Sequence, residues 1–241
     1  MSEPKLPEKY EDLAGLIEHA LLRTELPEEE VVRACGAAKH YQIASVILRP
    51  SDVELGARAI TGSSVRAGAE AAGPHGYSAT SAKLYEARDL LRRGAQEIDT
   101  VMNTGKLVSR QFQYLETELL QMAESCHQSG AVLKVNLESE YLTEELKIVA
   151  CRVARRAGAD FIGTTKAEDV PLLKTHSRDR LKIKMSLAHS DLDTLIALRD
   201  AGCLRIQVND PRAVLDAWKA KLAEAEAAKP QTEKANISER S

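Results

Sequence analysis

Three segments of the chain repeat one pattern of polar and apolar positions. RRGAQEI (92–98), RAGADFI (156–162) and DAGCLRI (200–206) each end a stretch of helical periodicity at a glycine, Gly94, Gly158 or Gly202, and resume within three residues as an apolar, β-rich run. Glycine just past the end of a helix takes the left-handed conformation that closes it. Each segment therefore predicts a helix followed by a strand.

Reading outward from these anchors predicts eight short strands: IEHALL (17–22), ASVILRP (44–50), VRAGAEAA (65–72), EIDTVMN (97–103), AVLKVNLE (131–138), DFIGTT (160–165), KIKMSL (182–187) and RIQVN (205–209). Helical periodicity fills nearly all the intervals, as in PEEEVVRACGAAKHY, TSAKLYEARDLLRR, a long segment at about 110–129, and TEELKIVACRVARRA. Strict alternation with short connections implies parallel strands. Eight repeats suit a closed (β/α)8 TIM barrel, one α/β domain, better than an open doubly wound sheet. There is no G-x-G-x-x-G after the first strand and no Walker A motif, which weakens the open-sheet nucleotide binder. The barrel is expected over 13–228, after a lead-in at 1–12. Beyond it the chain turns polar, and 229–241 is expected to be a disordered tail.

Composition narrows the function classes. The 241-residue chain carries a net charge of −3, with one Trp, six Tyr and two Phe. It lacks the basic footprint and stacking platforms of a nucleic-acid binder and has no basic patch for an anionic membrane. Cys35, Cys126, Cys151 and Cys203 are widely spaced and read as small core fillers of a reduced, cytoplasmic protein. The start MSEPKLPEKYEDL has no apolar leader, and no run approaches eighteen apolar residues. His19, His75 and His189 fall near strand ends without an i, i+4 pairing, so no metal site is expected, and no cofactor. GPHG (73–76) reads as a turn.

In a barrel of this kind chemistry sits at the C-terminal ends of the strands. Asp99, Lys134 and Lys184 lie there, each flanked by apolar residues on the alternate face. An unpaired buried charge costs several kcal/mol, so the three are read as one mutually compensating cluster; the alternative is a pair of snorkelling rim lysines and a structural aspartate.

Several motifs together resemble the deoxyribose-phosphate aldolase family of Schiff-base aldolases. IEHALLR is similar to the family's I-D-H-T-L-L-K, GPHG to its F-P-x-G, EIDTVMNTGKL to E-I-D-x-V-x-N-x-G-x-L, LKVNLE to L-K-V-I-x-E, and AGADFI to the lead-in of strand six, while SAKLYEAR resembles the helix after strand three. The resemblance runs from about Leu16 to Asn209. It implies a (β/α)8 barrel in which Asp99 is the proton-relay aspartate, Lys134 the strand-five lysine beside it, and Lys184 the lysine that lowers the nucleophile's pKa. Glu18, Arg49, Asn136 and Ser186 are the expected substrate contacts. Arg49 is open to three readings: a ligand for a substrate carboxylate, or a partner of Glu18 or of Asp99.

The nucleophile itself is missing. Where the family's strand six reads F-[VI]-K-T-S-T-G, this chain has Phe161-Ile162-Gly163-Thr164-Thr165. Imine formation needs a neutral primary amine, made available by burial and a neighbouring cation. Lys166 lies about 10 Å further along an extended strand and on the opposite face. Lys184, with Lys134 as its cationic neighbour, is the better candidate for a relocated nucleophile. The family's three glycine-rich phosphate loops are also absent: the corresponding stretches read TTKAEDV, LAHSDLD and VNDPRAV. Glu168 with Asp169, Ser190 with Asp193, and Asp210 before Pro211 are expected at the helix starts, where their charge would oppose a phosphate dianion; the alternative is ordinary helix capping.

The leading expectation is a pseudo-aldolase that has lost cleavage of 2-deoxyribose 5-phosphate, with a scaffold or regulatory role and a protein partner as one form of it. The alternative is an active lyase using Lys184 on a non-phosphorylated aldehyde or ketone. A small carbonyl compound is the expected ligand class and a homodimer the expected assembly; nucleic acid and membrane are not expected partners.

Overall fold

A computed structural model describes residues 9–227; the predicted tail at 229–241 and the first eight residues of the lead-in lie outside them. Eight strands form: β1 (Ile17–Leu21), β2 (Ser45–Leu48), β3 (Arg66–Ala71), β4 (Glu97–Val101), β5 (Val132–Asn136), β6 (Phe161–Thr164), β7 (Lys182–Ser186) and β8 (Cys203–Val208). They pair in chain order, all parallel, and β8 returns to β1, closing the barrel. The architecture is the expected single-domain (β/α)8 TIM barrel. Most strands are a residue or two shorter, at one end or both, than the pattern suggests. β8 instead begins two residues early, because Gly202 at φ +105° closes the preceding helix abruptly and lets the chain extend at once.

The helices are α1 (Glu11–Ala14), α2 (Glu28–Tyr41), α3 (Val53–Ala59), α4 (Thr80–Arg92), α5 (Thr104–Val108), α6 (Phe112–Gln128), α7 (Glu144–Arg156), α8 (Val170–Ser177), α9 (Leu192–Ala201) and α10 (Arg212–Ala227). Periodicity does not reveal the one-turn α5. It is held by Asn103, whose side chain accepts from the Lys106 amide at 3.1 Å. Among the described residues no helix is long and apolar enough to cross a membrane.

Strand alternation divides the core in two. Outward-facing Val46, Ile98, Leu133, Val135, Ile162 and Ile206 are buried against the helix layer. The four cysteines are buried there as free thiols, as the sequence suggests. Burial pushes the Cys35 and Cys203 thiols up to about 11. The inward-facing set includes the charged side chains of the strands, and ion pairs among them hold the barrel interior together.

One buried ion pair also sits in the helix layer. Lys83 of α4 meets Glu118 of α6 at 2.8 Å, with both side chains essentially inaccessible; Lys83 also donates to the Val101 carbonyl and Thr80 donates to Glu118. Breaking such a pair from one side leaves an uncompensated buried charge. Lys83→Met is expected to lower unfolding free energy by about 3–5 kcal/mol in urea denaturation, with much of that recovered by Glu118→Leu in the double variant. Equal losses that simply add would contradict the pairing.

Candidate functional site

Strand register places the interior charges in contact. Across β3, β4 and β5, Glu70 registers with Asp99 and Asp99 with Lys134. Across β5 to β8, Asn136 registers with Gly163, Gly163 with Lys184, and Lys184 with Arg205. Period-2 alternation sends these side chains to the inner face.

Lys134 Nζ lies 2.5 Å from Glu18 Oε1, 2.7 Å from Glu97 Oε2 and 3.4 Å from Asp99 Oδ2. Lys184 Nζ lies 2.7 Å from Asp99 Oδ1 and 3.0 Å from Glu18 Oε2. Arg205 closes the set, 3.2 Å from Glu97 and 3.4 Å from Glu18. Three carboxylates thus face three cations, and Arg66 stands 3.6 Å from Glu97 at the edge. Both lysines are fully buried. Asp99, Lys134 and Lys184 converge as one compensated cluster; the rim-lysine alternative does not fit this burial.

The charge states follow from the contacts. Burial opposes Lys134's charge, but Asp99, Glu18 and Glu97 outweigh it and raise its pKa above the ordinary lysine range. Burial likewise opposes ionisation of Asp99, yet Lys134 and Lys184 hold its pKa below the usual aspartate value. Glu97 is lowered in the same way, with burial overcome by Lys134 and Arg205.

Above the cluster, at the C-terminal ends of the strands, lies a cavity of about 190 Å³. Asp99, Asn136, Ser186 and Gln207 line it together with Glu70, Glu138 and Glu140. Neither interior lysine does. Two expected contacts are therefore corrected. Glu18 is wholly buried between the lysines rather than at the cavity. Arg49 reaches neither Glu18 nor Asp99: it pairs with Asp52 at 2.5 Å and donates to the carbonyls of Arg23, Thr24 and Leu26, which commits its guanidinium to the loop after β1. Asn136 and Ser186 do line the cavity.

Gly163 is filled from the side. A Cβ built there would collide with Asn136 Oδ1. The amide is held in place by Nδ2, which donates to Asp99 Oδ1 at 3.3 Å. The strand-five residue that departs from the resembled L-K-V-I-x-E thus occupies the space beside the strand-six residue that departs from F-[VI]-K.

The helix-start acids are a second correction. Asp169 is buried and paired with Lys147 at 2.6 Å, and it also accepts from Thr164. Asp210 is bound by Arg212 at 2.7 Å. α9 is capped by Asp191, which accepts from the Thr194 amide at 2.8 Å, rather than by Ser190. Their charge is largely spent locally. The negative wall of the cavity comes instead from Glu70 and from Glu138 and Glu140 after β5. Among the histidines, His75 contacts Glu138 at 2.7 Å, held by the turn at Gly76, where φ is +66° and a Cβ would strike the Val101 carbonyl. His19 is buried outside this cavity and His189 is exposed. Among the described residues no three His, Cys, Asp or Glu side chains converge closely enough to hold a metal ion.

A closed parallel barrel with a charged interior and a cavity at the carboxyl ends of its strands has the form of a barrel enzyme. Comparison with known proteins narrows that class. A deoxyribose-phosphate aldolase of Bacteroides thetaiotaomicron is 35% identical over 217 residues, covering 87% of this chain and 91% of the relative. One from Treponema denticola is 34% identical over 215 residues, 85% of this chain and 98% of the relative. A solved structure described as QR15, an aldolase, superposes with a TM-score of 0.83 at 29% identity, over 88% of this chain and 98% of that one. The barrel of the Aeropyrum pernix deoxyribose phosphate aldolase gives a TM-score of 0.78 at 24% identity, over 88% and 93%. No family model matches the chain. The chain belongs to the deoxyribose-phosphate aldolase family.

The lowered carboxylates tie the fold to pH. Their contribution is complete above the ordinary carboxylate range, about pH 4, and is lost as pH falls through their depressed values. Stability measured by denaturant titration is expected to stay level down to about pH 5 and then fall. Glu97→Gln should lower stability at neutral pH and flatten that acid limb; a limb unchanged by the substitution would contradict the assignment.

Proposed function

We propose that this barrel keeps its family's architecture and charged interior but does not cleave 2-deoxyribose 5-phosphate through a Schiff base, and that it acts by binding, as a scaffold or regulatory protein does. The observation that carries this reading is at Gly163. The reagent's position has no side chain, and Asn136 occupies the space a lysine would need. The remaining interior amines are engaged elsewhere: Lys134 with three carboxylates, Lys184 with two. A nucleophile must present a lone pair to its substrate. The acidic cavity wall further disfavours a phosphate dianion.

The competing reading, a lyase of altered range that uses Lys184 on a non-phosphorylated aldehyde or ketone, requires that amine to leave both Asp99 and Glu18 and to reach a cavity it does not line. We favour the loss of turnover.

A coupled assay for glyceraldehyde 3-phosphate tests this. Purified wild type is expected to match the protein-free control. Gly163→Lys alone should stay inactive and lose about 1–3 kcal/mol of stability from overpacking against Asn136. Asn136→Ala in the same chain should return part of that stability. Ordinary turnover by the wild type would overturn the proposal.

A further inference from the structure

Among the acids carried on the barrel strands, Glu70 stands apart. Glu18, Glu97 and Asp99 are matched by Lys134, Lys184 and Arg205. Glu138 is taken by His75 and Thr104. Glu70 lies in register with Asp99 on the neighbouring strand and lines the same cavity, yet it makes no hydrogen bond or ion pair among the described residues. It is largely withdrawn from water, with its carboxylate packed against Gly73, where a Cβ would collide with it. Beside it, Asp99 is only 2% exposed, and its Oδ2 accepts no hydrogen bond, Lys134 standing 3.4 Å off. Asn136 Oδ1 is also buried without a donor, turned toward Gly163 while Nδ2 donates to Asp99. Those two atoms face Lys134 and Gly163, so Glu70 is the unpaired carboxylate offered to the cavity, and all four of the charged residues lining it are acids.

We propose that this cavity binds a small organic cation, its ammonium group seated against Glu70 with Asp99 and Asn136 alongside. The assignment rests on the loss of phosphosugar cleavage proposed above and names the ligand class of that site. An ammonium brings three donors and no acceptor, which complements this lining, whereas a phosphate brings only acceptors and like charge. The charge is spread over the cavity rather than focused where a metal ion would sit. At about 190 Å³ the space falls below drug-sized pockets of ~300–1,000 Å³, and Leu22, Ile47, Pro74 and Val101 supply an apolar side for a short carbon chain.

Acidity at Glu70 supports the geometry. Burial raises its pKa, Asp99 and Glu86 add to the rise, and Lys184 opposes it. Asp99, Glu138 and Glu140 are the other charged groups lining the cavity among the described residues, so an ammonium is the counter-charge the site lacks. Affinity for such a cation falls as pH drops through the raised carboxyl range of Glu70, because protonation removes the counter-ion.

Titration calorimetry on the full chain tests the assignment with 1-amino-2-propanol, the neutral 1,2-propanediol and the anionic 2-deoxyribose 5-phosphate. The amine is expected to bind saturably and about tenfold or more tighter than the diol, with no binding of the phosphate. Glu70→Gln should erase the amine preference, Glu70→Asp should keep part of it, and wild-type affinity should weaken on acidification. Equal binding of amine and diol, no amine binding, or an undiminished preference in Glu70→Gln would overturn it. Cleavage of deoxyribose 5-phosphate by wild type would instead overturn the reading on which it rests, so the two failures are told apart.

Discussion

Mutual compensation among Glu18, Glu97, Asp99, Lys134, Lys184 and Arg205 is the constraint around which this barrel is built. Six ionised groups removed from water cost several kcal/mol each, and only close, multiple pairing offsets that. Every member touches at least two of opposite sign or shares one that does. No single charge can be altered without stranding another. Gly163 registers with Lys184. A protonated lysine there would meet like charge on the neighbouring strand.

Two departures from the family pattern meet at that point. Loss of the strand-six lysine opens a space, and Asn136 on strand five fills it while bonding Asp99. Among the described residues, no cation lines the cavity above. A site built for phosphorylated sugar needs donors and positive potential; this one presents carboxylates and unpaired acceptors.

Much of this is written locally in the sequence. Gly94, Gly158 and Gly202 mark helix-to-strand junctions, and eight αβ units leave a parallel barrel as the economical solution. Asp99, Lys134 and Lys184 are conspicuous because apolar neighbours force them inward. Glu97 obeys the same alternation, two residues before Asp99, and could have been included on that ground; Arg205 and Glu70 become visible only through cross-strand register, which one sequence does not display. Arg49 illustrates the opposite failure. Its partners are loop carbonyls more than twenty residues away, so a strand-end arginine reads as a ligand-binding group when it is a loop clamp. Asp169 and Asp210 look like charges aimed at a ligand until Lys147 and Arg212 come into contact with them.

The proposal that no amine here attacks a carbonyl is the centre of this account, and reductive trapping addresses it directly. Wild-type protein incubated with acetaldehyde and borohydride, then weighed intact by mass spectrometry and mapped by peptide, should show no stoichiometric adduct at Lys134, Lys166 or Lys184. Stoichiometric labelling of any one of them would contradict it.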